Sequence, residues 1–343
     1  MRIWERSPAV REGVSDMSEP KMAPGALGDP FQSVADDLAI VDARLHDVLR
    51  QENPLVQRVA DYLLAASGKR VRPSLVILTA RAAAGEVPPP IPVEVAVELI
   101  HMATLVHDDI VDRGEMRRGM PSLRAAFNDQ VAVLAGDFLF ARAFEILAGT
   151  GQPKVVDLAA RVVHVMCAGE IQETLEVGKV PSEEEYLRRI EGKTAHFLAA
   201  SCRLGALSVR AAPSIREALT DYGRHVGMAF QIYDDLLDLV ADPVKLGKAV
   251  ASDFSQGVMT LPVIYALDRS SRASELVDAL SSQDEAGRQA ALAILEETGA
   301  IRDTERMAEA HVAAAVQALL ILPKSGARDA LEQLAGFVVA RHY

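Results

Sequence analysis

Two short clusters hold the residues of this chain best suited to chemistry. The first reads Leu105-Val106-His107-Asp108-Asp109-Ile110-Val111-Asp112, the second Gln231-Ile232-Tyr233-Asp234-Asp235-Leu236-Leu237-Asp238. In each, the first and last aspartates lie four residues apart, so on a helix they share a face. Like charges at that spacing cost an isolated helix about 0.2–0.5 kcal/mol, and inside apolar sequence an unpaired carboxylate costs far more. A single Asp-Asp-x-x-Asp is most simply a solvated acidic face or a helix start, where aspartate is favoured. Two copies, 126 residues apart and each preceded by apolar sequence, instead predict a bound cation. Oxygen donors without a thiolate or histidine cluster suit a hard ion, and Mg2+ usually bridges carboxylates to the phosphates of a ligand.

A phosphate ligand needs positive residues, and these gather locally although the net charge is −12. Arg113, Arg117 and Arg118 follow the first cluster; Lys69, Arg70 and Arg72 precede it; Lys193 lies between the clusters in Gly192-Lys193-Thr194, and Lys248 follows the second. Arginine forks match phosphate oxygens in pairs, and lysine supplies a compact charge. Each alone reads as a solvated surface residue. Gly192-Lys193-Thr194 lacks the preceding glycine spacing of a nucleotide-binding loop. Their weight comes from their company with two carboxylate clusters.

The elements that must position these groups read as helices. Aromatic residues make up 5% of the chain, while the strong helix formers Ala, Leu, Glu and Arg are abundant. Leu38, Val41, Leu45, Val48 and Leu49 form one stripe at spacings of three and four. No alternating strand of any length is evident. Pro and Gly breaks at 85–92, 149–153, 178–181, 211–213 and 322–326 separate the segments. The expectation is one all-α domain over 31–343, a single-domain helical bundle of ten or more helices, behind a disordered tail at 1–30 in which Met17 or Met22 could be the true start. The acidic balance argues against a nucleic-acid partner. Cys167 and Cys202 form no disulfide framework, and no apolar run reaches the roughly 18 residues of a membrane span. A cytoplasmic enzyme is expected.

Together these residues resemble the trans-isoprenyl diphosphate synthase (polyprenyl synthetase) family, most closely its long-chain all-trans members. The resemblance runs from about Pro54 to the end. Its motifs, in family order, are Gly-Lys-Arg-Val-Arg-Pro at 68–73, Ile-His-Met-Ala-Thr-Leu-Val-His-Asp-Asp at 100–109, Arg117-Arg118-Gly119, Ala135-Gly136-Asp137, Gly169-Glu170-Ile171-Gln172, Gly192-Lys193-Thr194, Phe230-Gln231 and Leu246-Gly247-Lys248. The resemblance implies a helical bundle with a central apolar cavity and a Mg2+-dependent prenyl transferase using three ions per site. Asp108, Asp112, Asp234 and Asp238 would hold the metal, with Asp109 and Asp235 completing or orienting the shells. Arg117, Lys193 and Lys248 would hold an allylic diphosphate. Gly68, Lys69, Arg72, His101 and Arg118 would hold isopentenyl diphosphate. Thr194 and Gln231 would face the developing allyl cation. Apolar walls such as Phe230, Val106 and Ile110 would exclude water, and Val338 to Tyr343 would cover the second pocket. Val258 stands where the family often has a lysine near the allylic diphosphate.

In the family, a bulky aromatic four or five residues before the first aspartate motif floors the pocket. Ala103 and Thr104 are small here, and Ile100 and Val97 continue the face, so a product of roughly six to ten isoprene units is expected, unless another helix supplies the floor. Ala103→Phe is the corresponding test. The alternatives are a short-chain (farnesyl or geranylgeranyl) synthase, a class I terpene cyclase, or a non-catalytic partner subunit, whose aspartates should be eroded. The resemblance further implies a homodimer. A lipid-like product suggests loose contact with a membrane surface.

Overall fold

The computed structural model describes residues 30–66, 68–176, 178–240, 252–255, 257–282 and 284–340. The tail at 1–29, Lys248 and the last three residues lie outside the described residues.

The chain is a single all-helical domain. Its α-helices are α1 Ala35–Val48, α2 Pro54–Ala65, α3 Val71–Ala84, α4 Ile91–Val111, α5 Leu123–Ala126, α6 Asp129–Gly149, α7 Pro153–Glu176, α8 Glu183–Ile190, α9 His196–Ser208, α10 Pro213–Val240, α11 Ser252–Ser255, α12 Leu261–Arg269, α13 Ala273–Ser282, α14 Glu285–Glu297, α15 Ala300–Ala318 and α16 Gly326–Val339. The predicted breaks fall between helices, and local caps set other ends as well. Asn53 accepts from the Leu55 amide with Pro54 opening α2, and Ser182 forms a full capping box with Glu185 at the start of α8.

Among the described residues, strands are confined to one feature that hydrophobic alternation could not reveal. Met116–Arg117 pairs with Met120–Pro121 in a minimal antiparallel hairpin. Arg118 and Gly119 both take positive φ, at 52° and 79°, as the tightest hairpin turn requires.

Two helices carry the aspartate clusters. Helix α4 is buried almost without interruption from Val93 to Ile100 and packs on α6. Helix α10 lies against α9 and α15, and its approach to α9 depends on missing side chains. A Cβ at Gly223 would come within 2.7 Å of the Leu198 carbonyl oxygen, and one at Gly227 within 2.5 Å of the Ala195 Cα. The C-terminal half of α10, with its aspartates, is thereby brought against the segment that holds Lys193 and Thr194.

The core also contains a carboxylate without a hydrogen-bond partner among the described residues. Glu94 on α4 is fully buried, and neither of its oxygens has a hydrogen-bond partner. Burial and Asp37 push its carboxyl up to about 8, with Arg81 opposing. In the folded chain it therefore keeps its proton to about pH 8, but unfolded it releases it near pH 4.3. The stability this protonation contributes is complete in acid and fades as pH rises through the folded value. Glu94→Gln, neutral at every pH, should thus gain stability over the wild type between pH 5 and 9, by on the order of 4 kcal/mol at most. Urea unfolding at the two pH values checks this; a difference independent of pH would remove Glu94 as its cause.

Candidate active site

Two adjoining cavities open among α3, α4, α7 and α10. The larger, about 830 Å3, is lined by Gly68, Lys69, Arg72, His101, Arg117 and Arg118 at one end and by Asp108 and Asp234 at the other. The smaller, about 410 Å3, is lined by Asp112, Glu170, Glu173, Arg189, Asp235, Asp253 and Val258. Val111, Glu170, Lys193, Thr194 and Gln231 line both, and so form the wall on which the two spaces meet.

The middle aspartate of each cluster is held by neighbouring side chains: Asp109 lies off both cavities, whereas Asp235 edges the smaller one. Asp109 is 4% exposed and takes the fork of Arg117, whose Nε lies 3.0 and 3.2 Å and Nη2 2.5 Å from its oxygens. Asp235 is 5% exposed and accepts from the Gln231 amide nitrogen at 2.7 Å and the Tyr186 hydroxyl at 2.8 Å. Asp108 and Asp234 remain on the larger cavity, and Asp112 on the smaller. Asp238 accepts the Asp253 backbone N–H at 3.2 Å.

The carboxylates are crowded. Burial and Glu170 push Asp108 up to about 7, burial raises Asp112, burial and Asp253 push Asp235 up to about 8, and burial and Asp238 push Asp253 up to about 6. Such an all-oxygen set of mutually repelling donors fits a hard divalent cation. Among the described residues, no three His, Cys, Asp or Glu side chains already converge on one ion position. An ion here would complete its shell with phosphate oxygens and water, as Mg2+ characteristically does.

Lys193 and Thr194 sit in a π-helical turn, Glu191–Ala195, a widened turn of the kind that often marks a functional site. The Lys193 ammonium lies 2.8 Å from Glu173 and 3.1 Å from Glu170. Against the cost of burial, these two carboxylates raise it above its usual range. Thr194 donates to the Gln231 amide oxygen at 2.7 Å.

At the cationic end, Arg72 is half-buried, lies over the Phe197 ring at 4.8 Å, and is lowered to about 10 by loss of hydration, with Arg118 adding to the shift. Its Nη1 is 3.1 Å from His101 Nε2. Since a guanidinium only donates, Nε2 must be the acceptor and Nδ1 carries the proton. Burial and Arg72 hold His101 well below its ordinary range, in keeping with a neutral ring. Arg118 donates to the Ala66 carbonyl at 2.8 Å, and its guanidinium covers Gly68, where a Cβ would come within 2.4 Å of it. Arg70 faces inward to Asp42 and Glu98 and braces this corner.

A polyprenyl synthetase model matches residues 53–298. The chain belongs to the polyprenyl synthetase family. It is 38% identical over 315 residues to heptaprenyl diphosphate synthase component 2 of Geobacillus stearothermophilus, covering 91% of this chain and 98% of that one. It is 39% identical over 316 residues to the short chain isoprenyl diphosphate synthase of Methanothermobacter thermautotrophicus, covering 89% and 96%. The crystal structure of a polyprenyl synthase from Caulobacter crescentus, complexed with calcium and isoprenyl diphosphate, superposes with a TM-score of 0.86 at 34% identity, over 94% of this chain and all of that one.

Within this polyprenyl synthetase the structure separates residues that the motifs had grouped. Thr104 lines the larger cavity, whereas Ala103, Ile100 and Val97 are buried in the core around α6. The wall below the aspartates is continued by Phe140, Met166 and Cys167 from α6 and α7. Phe230 lines the cavity, whereas Val106 and Ile110 pack into the core. Asp253, Tyr186, Glu173 and Arg189 escaped the sequence reading. Asp253 sits in a polar segment with no periodic pattern, and Tyr186 looks like any apolar position of a short helix.

Proposed function

We propose that this polyprenyl synthetase is a Mg2+-dependent prenyl transferase that condenses isopentenyl diphosphate with an allylic diphosphate to build a long all-trans chain. The carrying observation is the wall of Lys193, Thr194 and Gln231 shared by a carboxylate-edged cavity and a cavity with a separate cationic end. Two diphosphates need two clamps, and here they adjoin. Asp108, Asp112, Asp234 and Asp238 would hold Mg2+, three ions per site as in the resemblance, which would supply positive charge to the departing diphosphate.

The protein's own groups do the rest. Lys193 and Arg117 stabilise the leaving diphosphate, and Lys248 is assigned the same role. Lys69, Arg72 and Arg118 bring the second diphosphate's alkene within reach. Thr194 and Gln231 oxygens face the developing positive carbon, and Phe230 helps to keep water away. Incubation with labelled isopentenyl diphosphate, farnesyl diphosphate and Mg2+ should give a ladder ending in one long product, lost in EDTA. No condensation with any allylic primer would overturn the reading. A cyclase would have no use for the Lys69–Arg72–Arg118 end.

Product length rests on Thr104, the small residue one turn before Asp108 that faces the cavity. Thr104→Phe should shorten the product to three or four units, read by chain-length analysis. Ala103→Phe, in the packed core, should instead destabilise by about 1–3 kcal/mol through overpacking. Unchanged length in Thr104→Phe would move the floor to Phe140 and Met166.

A homodimer is supported by apolar residues left open on two long helices. Val133 and Leu134 of α6 are 43% and 68% exposed, and Ile171 and Leu175 of α7 are 62% and 76% exposed. Activity appearing only with a second protein would favour a two-component enzyme instead. Among the described residues no helix is long and apolar enough to cross a membrane. A cytoplasmic protein that touches the membrane only through its lipid product is the proposed setting.

A further inference from the structure

Tyr186 lines neither cavity, yet its fully buried hydroxyl donates to Asp235. From there the contacts run in one line: Tyr186 to one oxygen of Asp235, the other oxygen of Asp235 to the Gln231 amide nitrogen, and the Gln231 amide oxygen to the Thr194 hydroxyl. A glutamine amide can be turned either way, and its neighbours decide which. With Asp235 accepting through both oxygens, turning the Gln231 amide over would press oxygen against oxygen. Only one orientation is compatible with the line, and it places the amide oxygen beside the Thr194 hydroxyl on the wall shared by the two cavities.

We propose that Tyr186 and Asp235 are positioning residues that set the polarity of this wall: they fix the Gln231 amide so that its oxygen, and not its NH2 group, is presented where the two substrates meet. The inference rests on the reading of that wall as the place where an allylic diphosphate ionises. A positive carbon there is stabilised by the negative end of the amide dipole and repelled by the other end. Asp235 therefore acts through its neighbour, although it belongs to the aspartate motif, and Tyr186 acts through Asp235. The same geometry explains why a buried phenol from an eight-residue helix is placed against α10.

The test is single-turnover condensation of farnesyl diphosphate with isopentenyl diphosphate, alongside the Mg2+ concentration giving half the maximal rate. Tyr186→Phe removes one donor and should slow the turnover about 10-fold, with the KM for farnesyl diphosphate and the Mg2+ midpoint changed less than about 2-fold. Asp235→Asn is nearly isosteric but offers an N–H to residue 231 and so favours the overturned amide; a loss of about 100-fold or more is expected. Adding Gln231→Glu to Asp235→Asn keeps the net charge and restores an oxygen at both ends of residue 231. At least about 10-fold of the lost rate should then return.

No recovery in the double variant, or losses explained by a shifted Mg2+ midpoint, would overturn the proposal and leave Asp235 with an ordinary role at the metal. Should Tyr186→Phe melt too early to assay, the Asp235→Asn pair with and without Gln231→Glu decides alone. A wild-type protein that condenses nothing sinks the reaction itself, an outcome distinct from a competent enzyme whose swap is not rescued.

Discussion

Asp108→Ala is expected to lower the single-turnover condensation rate by at least about 1000-fold, equivalent to roughly 4 kcal/mol of lost transition-state stabilisation. Breaking an allylic carbon–oxygen bond leaves a diphosphate carrying one more negative charge, and the protein answers with cations placed before the reaction begins. On the proposed reading Asp108 is central to that arrangement. It sits on the larger cavity, where the Lys193 ammonium and Arg117 act on it favourably and Glu170 and Asp112 act against it. A carboxylate so placed suits the divalent cation proposed for this site.

The fold should survive the change. Taking one carboxylate out of a crowded set relieves repulsion, so without metal the variant should melt at the wild-type temperature or above it. With Mg2+ and a non-reactive diphosphate analogue, the wild type should gain stability through ligand linkage, and the variant should gain much less. A variant that melts normally, binds the analogue and Mg2+ like the wild type, and still condenses at a tenth of its rate or better would remove Asp108 from the metal site.

The helical architecture was legible because its signals are local. Proline openings at α2, α7 and α10 and the Ser182–Glu185 box stand in the sequence itself. The spacing of four that puts Asp108 with Asp112 also holds once α4 is built. Other features depend on rotation and on partners far along the chain. Ala103 and Thr104 are adjacent, but a step of about 100° on the helix separates a core position from a cavity wall, and packing on α6 sets which is which. The inward turn of Asp109 needed a two-residue hairpin that no pattern of apolar residues announces. The hold on Asp235 needed Tyr186, 49 residues away. Lys193 was assigned to a diphosphate and in this structure is held by Glu170 and Glu173, so ligand entry must compete with two carboxylates for it.

Arg117 illustrates how one side chain can serve fold and chemistry together, and its removal should show both. Arg117→Ala leaves Asp109 buried without its partner, and breaking a buried pair from one side costs about 3–5 kcal/mol. Because the guanidinium is 33% exposed, the lower part of that range applies. The melting temperature should fall by about 5–10 °C. Arg117→Lys should fall between, since an ammonium carries the charge but cannot form the fork that spans both oxygens. Pairing Arg117→Ala with Asp109→Asn removes the stranded charge and should return much of the lost stability. It should not return activity. Nε and Nη2 are engaged by Asp109 while Arg117 also lines the larger cavity, so on the proposed reading its remaining nitrogen meets a diphosphate, and no alanine can replace it. The two readouts separate the roles: a single variant as stable as the wild type would deny the brace, while a double variant regaining full turnover with an unchanged KM for the allylic diphosphate would show that Arg117 acts on the substrate only by holding Asp109.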